Sequence, residues 1–98
     1  MGTRKPKMAS SIRKIREIFL KDWDPVGVGN IAGAEDEYDA YIMPVYDLLR
    51  GPRSEQAIIN YLRWAETVRM EITPPAKRLK TVAKVLLEID VSEDEIQQ

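Results

Sequence analysis

The chain has 98 residues, of which 44% are apolar and 32% charged, and its net charge is −1. That length supports one domain with a modest core, and the composition is typical of a folded globular protein. Histidine and cysteine are both absent, which excludes disulfides and removes the commonest general base and the usual zinc ligands. We therefore expect a protein that is not an enzyme and that has no catalytic residues, metal site or cofactor.

The sequence also indicates a cytoplasmic location. No apolar run approaches the roughly 18–20 residues that span a bilayer. The basic start, residues 1–7, leads into a charged segment and not into the apolar core of a signal peptide. Cysteine-free composition fits a reducing compartment.

Charge changes sign along the chain. Residues 1–21 hold seven bases and one acid (+6), and residues 22–49 hold seven acids and no base (−7). Residues 73–87 carry +4 and residues 88–98 carry −5. We expect these segments to pair mainly with one another, and charged partners are the second interpretation.

The first predicted helix begins near Ser10 or Ser11, either of which can cap it, and runs to about Asp22. Pro25 disfavours helical geometry at the residue before it and so ends the helix. The apolar stripe has helical spacing and comprises Ile12, Ile15, Phe19 and Trp23.

The second predicted helix begins at Asp36 as its cap and ends at Gly51-Pro52. Pro44 lies inside this helical pattern, so we expect it to kink the helix or to split it in two. The residues at helical spacing are Tyr38, Tyr41, Ile42, Val45, Leu48 and Leu49.

Two more helices follow. Ser54 is predicted to cap the third, which runs to about Glu71. Its predicted buried face consists of Ile58, Tyr61, Leu62, Ala65, Val68 and Ile72. The fourth helix follows the turn at residues 73–75, with Pro75 in its first turn. Its predicted buried residues are Leu79, Val82, Ala83 and Leu86, and its predicted exposed residues are Lys77, Arg78, Lys80 and Lys84.

No sustained period-two pattern indicates a strand. The predicted fold is therefore all-α, a single small domain of about four helices with the second kinked at Pro44. Residues 10–90 form the domain, residues 1–9 a basic flexible leader, and residues 91–98 an acidic frayed tail in which Ser92 and Glu95 have capping-box spacing.

Residues 22–41 are the most unusual part of the sequence, because they combine acids, glycines and aromatic residues without a base, and three kinds of site could lie there. An EF-hand loop would use Asp22, Asp24 and Gly27, but Val26 and Gly33 occupy positions that need oxygen ligands. A phosphate loop lacks the glycine spacing and the lysine, and the acids of residues 35–37 would repel an anion. Asp36 and Asp39 could form a catalytic pair, but helix capping and the helix dipole explain both.

The basic residues near the amino terminus could contact nucleic acid, and they are Arg4, Lys5, Lys7, Arg13, Lys14 and Arg16. The neighbouring acidic segment would repel the same phosphates, so binding to nucleic acid is the alternative hypothesis. Tyr46 and Trp64 fall off the predicted apolar stripes, where an aromatic side chain is either an interface anchor or loosely packed.

The motif Trp23-Asp24-Pro25-Val26-Gly27-Val28, followed by Asp36-Glu37-Tyr38-Asp39-Ala40-Tyr41, resembles a family of small bacterial helical proteins of uncharacterised activity. Members look like W-D-P-[IV]-G-V … D-E-Y-D-x-Y. Later matching pieces are Leu48-Leu49-Arg50-Gly51, Tyr61-Leu62 and Glu66, so the resemblance covers roughly residues 12–72. It implies a bacterial origin and helical architecture, and it implies no reaction.

Because both halves of the motif recur in the family it resembles, we expect Asp24, the loop glycines and the start of the second helix to form one folded unit. We expect Asp24 to accept hydrogen bonds from turn amides while Trp23 packs on Tyr38, with Pro25, Gly27, Asp36 and Tyr41 completing the structural motif. The hypothesis for function is a non-catalytic protein-binding module of the immunity or accessory type, with no membrane contact. Its partner is a basic protein surface or a second copy, bound through Asp24, Glu35, Glu37, Asp39, Tyr46 and Trp64.

Overall fold

A computed structural model describes residues 7–72 and 78–91 of the chain. Across these residues the protein has four α-helices and no strand. We number them α1 (Lys7–Ile18), α2 (Ile42–Arg50), α3 (Glu55–Trp64) and α4 (Leu79–Leu87). The predicted all-α, four-helix fold is confirmed.

Two of the helices continue into a wider, π-helical turn. α1 runs on through Phe19–Trp23 and α3 through Ala65–Arg69. Each turn ends with a hydrogen bond between residues five apart, Asp24 N–H to the Phe19 carbonyl (2.7 Å) and Met70 N–H to the Ala65 carbonyl (2.9 Å). Such single turns interrupt the 3.6-residue periodicity of the helix that precedes them.

The core is formed by the inner faces of all four helices, and α3 packs against α4 and α1 against α2. Ile15, Phe19 and Trp23 are fully buried, as their helical spacing predicts. The fourth helix also packs as predicted. Its buried residues are Leu79, Val82, Ala83 and Leu86.

Helix starts differ from the prediction in two places. α1 already includes Lys7, so Ser10 and Ser11 lie inside the helix and do not cap it. α2 begins at Ile42 and not at Asp36, because residues 36–38 form turns and Asp39–Tyr41 form a short 3₁₀ helix.

The late start of α2 changes the role of Pro44. Pro44 is the third residue of α2, in the first turn, where a backbone amide has no intrahelical acceptor to lose. The structure does not confirm the predicted kink.

The same shift explains why Tyr46 is buried (2% exposed) and is not the surface anchor we expected. A helix that starts at Ile42 buries residues at intervals of three, four and seven, which are Ile42, Val45, Tyr46 and Leu49. The predicted helix begins earlier and counts Tyr38 and Tyr41 among its buried residues, which centres its predicted buried face away from Tyr46. The guanidinium of Arg50 lies over the Tyr46 ring, 5.7 Å from its centroid.

The third helix begins as predicted, with the Ser54 hydroxyl accepting a hydrogen bond from the Ala57 amide (3.1 Å). Val68, however, is 57% exposed, against the prediction that it is buried. Glu66 lies four residues after Leu62 and eight after Ile58, so it falls on the buried face, whereas Val68 lies four residues after the exposed Trp64.

Two arginines join helix ends. Arg53 donates to the carbonyls of Leu49 (3.1 Å) and Leu87, so it caps both α2 and α4. Arg78, predicted to face water, donates to the Trp23 carbonyl (3.0 Å) and so binds the end of the first π turn. Lys77, Pro75 and the Ser92–Glu95 capping box lie outside the described residues.

Within the described ranges, no helix is both long and apolar enough to cross a membrane.

Candidate functional site

Asp24 organises the connection between α1 and α2. Its carboxylate accepts hydrogen bonds from the amides of Val28 (2.7 Å) and Gly29 (3.0 Å) and from the hydroxyl of Tyr38 (2.8 Å). The Val26 amide donates in turn to the Tyr38 hydroxyl (3.1 Å). The predicted role of Asp24 as a hydrogen-bond acceptor for turn amides is confirmed.

These contacts perturb both ionisable groups. Burial raises the pKa of Asp24, but the hydrogen bonds from Tyr38, Gly29 and Val28 and the positive charge of Arg78 together hold the pKa below its ordinary value. Burial also raises the pKa of Tyr38, and the adjacent Asp24 raises it further. Asp24 is therefore an ionised structural acceptor and Tyr38 a neutral donor at neutral pH.

Glycines allow the loop to pass close to the helix it leaves. A Cβ on Gly29 would lie 2.3 Å from the Leu20 carbonyl oxygen and 2.9 Å from an Asp24 carboxylate oxygen. Gly27 has φ of +74°, a conformation that favours glycine. Both glycines are thus explained by the shape of the loop.

A chain of aromatic rings runs from this loop to the surface of α3. Trp23 contacts Tyr38 and Tyr41, with ring centroids 5.4 Å and 5.9 Å apart. Tyr41 lies 6.5 Å from Tyr61, and Tyr61 lies 5.6 Å from Trp64. The expected packing of Trp23 on Tyr38 is confirmed, and the chain ends at a solvent-exposed tryptophan.

Glu66 supplies the polar contact inside this cluster. Its side chain is fully buried, and one carboxyl oxygen accepts a hydrogen bond from the Trp23 indole N–H (2.7 Å). A buried indole N–H needs such an acceptor. Sequence reasoning noted Glu66 only as part of a motif, because nothing local indicates that it meets a residue 43 positions away.

The acids proposed for partner binding fall into two groups. Asp39 accepts two hydrogen bonds from the Arg16 guanidinium (2.9 and 2.6 Å), which raise the pKa of Arg16. Asp39 and Asp24 are thus engaged within the molecule. Glu35 and Glu37 are exposed together with Asp36, although Glu35 also accepts a hydrogen bond from the Gly33 amide (3.1 Å).

Trp64 is 43% exposed, as its position off the predicted stripe indicated. It belongs to a stripe that runs along α3 through Ala57, Tyr61 and Trp64, at intervals of four and three residues, and continues to the exposed Val68 in the following π turn. This is the spacing with which one helix packs along another. We call this stripe the α3 face.

Two exposed arginines adjoin the α3 face in the sequence. Arg63 directly precedes Trp64, and Arg69 directly follows Val68, and the charge of Arg69 acts on Tyr61. The neighbourhood of Trp64 on its own helix is therefore basic and aromatic. The exposed acids lie in the 35–37 segment, on a different element.

A groove of about 560 Å³ opens beside Asp24, lined by Glu17, Leu20, Lys21, Asp24, Gly29 and Asn30. A carboxyl group that acts as a general acid near neutral pH needs a raised pKa, whereas the pKa of Asp24 is lowered. Within residues 7–72 and 78–91, no group of three or more acids is placed to hold a metal ion.

Comparison with family models, curated proteins and solved structures found no match to the chain. The resemblance to the W-D-P family therefore stays a prediction based on the motif.

Proposed function

We propose that the protein is a non-catalytic protein-binding module that contacts its partner through Trp64 and the exposed acids of residues 35–37. The observation that carries the proposal is the exposure of Trp64 at the end of a chain of buried and partly buried aromatic rings, with Val68 exposed one turn further on. A tryptophan held against Tyr61 is a rigid apolar anchor, and such side chains contribute much of the binding energy of protein interfaces.

Fewer of the predicted partner-binding residues are available to a partner than the sequence indicated. Asp24 and Asp39 hold the loop together, and Tyr46 belongs to the core. Glu35, Asp36 and Glu37 supply negative charge for a basic partner surface, and Trp64 supplies apolar contact. Charged groups of this kind mainly determine the rate and specificity of association.

Site-directed photo-cross-linking tests this proposal. A photoreactive phenylalanine analogue replaces Trp64 in the full chain, expressed in the organism of origin, and adducts are identified by mass spectrometry. The matched control places the same analogue at Lys80, which is exposed on α4.

We expect a discrete protein adduct from position 64 and none from position 80, and reduced yield when Asp36→Lys and Glu37→Lys are added. Equal labelling at the two positions, or no adduct at position 64, would contradict the proposal.

A further inference from the structure

The α3 face and the acidic loop are complementary surfaces on one molecule. The α3 face presents Trp64 and Val68, and the exposed Arg63 and Arg69 are their neighbours in the sequence. The loop presents Ile31, which is 55% exposed, a few residues before the acids of residues 35–37. One surface is apolar and basic, and the other is apolar and acidic.

These surfaces do not cover one another within the chain, since Ile31, Trp64 and Val68 all remain exposed. Within the chain, the acids of this region interact with Arg16 instead: Asp39 accepts a hydrogen bond from its guanidinium, and the charge of Asp36 also acts on it.

We infer that the α3 face is covered by a second copy of this chain, whose residues 31–37 lie against it. The inference rests on the proposed function and names the partner. Charge complementarity carries it: residues 35–37 of one copy face Arg63 and Arg69 of the other, while Ile31 contacts Trp64 and Val68. In a two-fold dimer each copy gives and receives the same contact, so the pairing occurs twice.

Pairing of the α3 face with its own equivalent is disfavoured. Helix against helix around a shared Trp64 would place the flanking arginines of both copies in the same interface. The exposed positions of residues 56–69 include no acid to offset them, because Glu66 is buried. Like charges at close range oppose association, so the acidic loop is the better complement.

A charge-exchange experiment tests the inference by light scattering from about 10 μM to about 1 mM protein, a range that detects weak and moderate association. One variant carries Asp36→Lys and Glu37→Lys, and the other carries Arg63→Glu and Arg69→Glu. The control carries Lys80→Glu and Lys84→Glu, two exposed charges on α4. Circular dichroism establishes that each variant is folded, and neutral replacements (Asn and Gln for the acids, Gln for the arginines) substitute for any that is not.

We expect the wild-type chain to reach twice the 11.2 kDa mass of one copy and the control to match it. Either charge-reversed variant alone should dissociate at least about tenfold more readily, and an equimolar mixture of the two should regain the dimer, because both contacts are again between opposite charges.

A wild-type chain that stays monomeric, a dimer insensitive to both charge reversals, a mixture that does not reassociate, or open-ended oligomers would each overturn the inference. A monomer that still gives an adduct with another protein at position 64 would overturn the second copy as partner and leave the proposed function standing. A monomer with no adduct would overturn both.

Discussion

Asp24 combines two properties that few residue types share. Its φ is +35°, in the left-handed region where aspartate and asparagine are tolerated better than most side chains. Its carboxylate simultaneously accepts hydrogen bonds from two loop amides and the Tyr38 hydroxyl. The residue therefore ends the first π turn and holds the following loop against the start of the next helical region.

The pKa of Asp24 predicts an acid-sensitive contribution to stability. Because its folded pKa is lower than the value of about 3.9 in an unfolded chain, the contribution is present above about pH 4 and is lost as the pH falls through the lower, folded value. Asp24→Asn keeps the backbone preference but removes the charge. We expect it to lower the free energy of unfolding by about 1–3 kcal/mol at pH 7, the cost of weakening charge-assisted hydrogen bonds.

Urea denaturation between pH 7 and pH 2.5 measures this contribution. The difference between wild type and Asp24→Asn should narrow below about pH 4. Glu35→Gln, an exposed change in the same loop, serves as the control. A difference that stays constant across the pH range would show that Asp24 does not act through its charge.

The two π turns have a shared consequence at the level of elements. Each extends a helix that begins with regular α periodicity, and Trp23 of the first turn is hydrogen-bonded to Glu66 of the second. The pair therefore fastens the end of the first helical segment to the end of the third.

Two different substitutions of Glu66 distinguish its hydrogen bond to Trp23 from its packing between the two π turns. Glu66→Gln retains an oxygen that can accept from the Trp23 indole, whereas Glu66→Leu leaves that buried N–H without an acceptor. We expect Glu66→Leu to be less stable than Glu66→Gln by about 1–3 kcal/mol, the cost of an unsatisfied buried donor. Denaturant titration measures the difference, with Glu71→Gln and Glu71→Leu as the exposed pair; equal stability of the two Glu66 variants would refute the role assigned to this hydrogen bond.

Capping residues and helical spacing correctly predicted part of the fold. The Ser54 cap, the buried face of α4 and the burial of Ile15, Phe19 and Trp23 follow from capping and helical spacing alone. The errors at Tyr46 and Val68 share one cause, which is helix phase. The late start of α2 moves its buried face toward Tyr46. The buried face of α3 and its π turn is centred on Ile58, Leu62 and Glu66, which leaves Val68 outside it.

The candidate site was predictable only in part, for a different reason. The exposure of Trp64 and the role of Asp24 in the turn could be expected from spacing and side-chain chemistry. The engagement of Asp39 depends on Arg16, 23 residues away, and that of Glu66 on Trp23. Contacts between distant segments decide which acids are left at the surface, and sequence spacing does not encode them.

At the scale of the whole molecule, folding brings only some of the oppositely charged segments of the chain into contact. The basic first segment meets the acidic second one at Arg16 and Asp39, and Arg78 binds backbone carbonyls at the end of the first π turn. Glu35, Asp36 and Glu37 remain at the surface on one element, and Arg63 and Arg69 on another. The fold therefore leaves charge of both signs exposed beside apolar side chains, the arrangement that the proposed association uses.

Replacing each of the two tryptophans by alanine distinguishes an effect on stability from an effect on association. Trp23 is fully buried and hydrogen-bonded, so Trp23→Ala should lower the free energy of unfolding by about 3–5 kcal/mol. Trp64 is 43% exposed and packs on Tyr61, so Trp64→Ala should lower that free energy by about 1–2 kcal/mol, less than Trp23→Ala does. Unfolding is measured at low micromolar protein, where self-association adds little to apparent stability. Light scattering is measured on the same preparations at about 10 μM to about 1 mM protein. Trp64→Ala should abolish association in a chain that stays folded; a loss of stability as large as that of Trp23→Ala would instead mean that this side chain supports the fold.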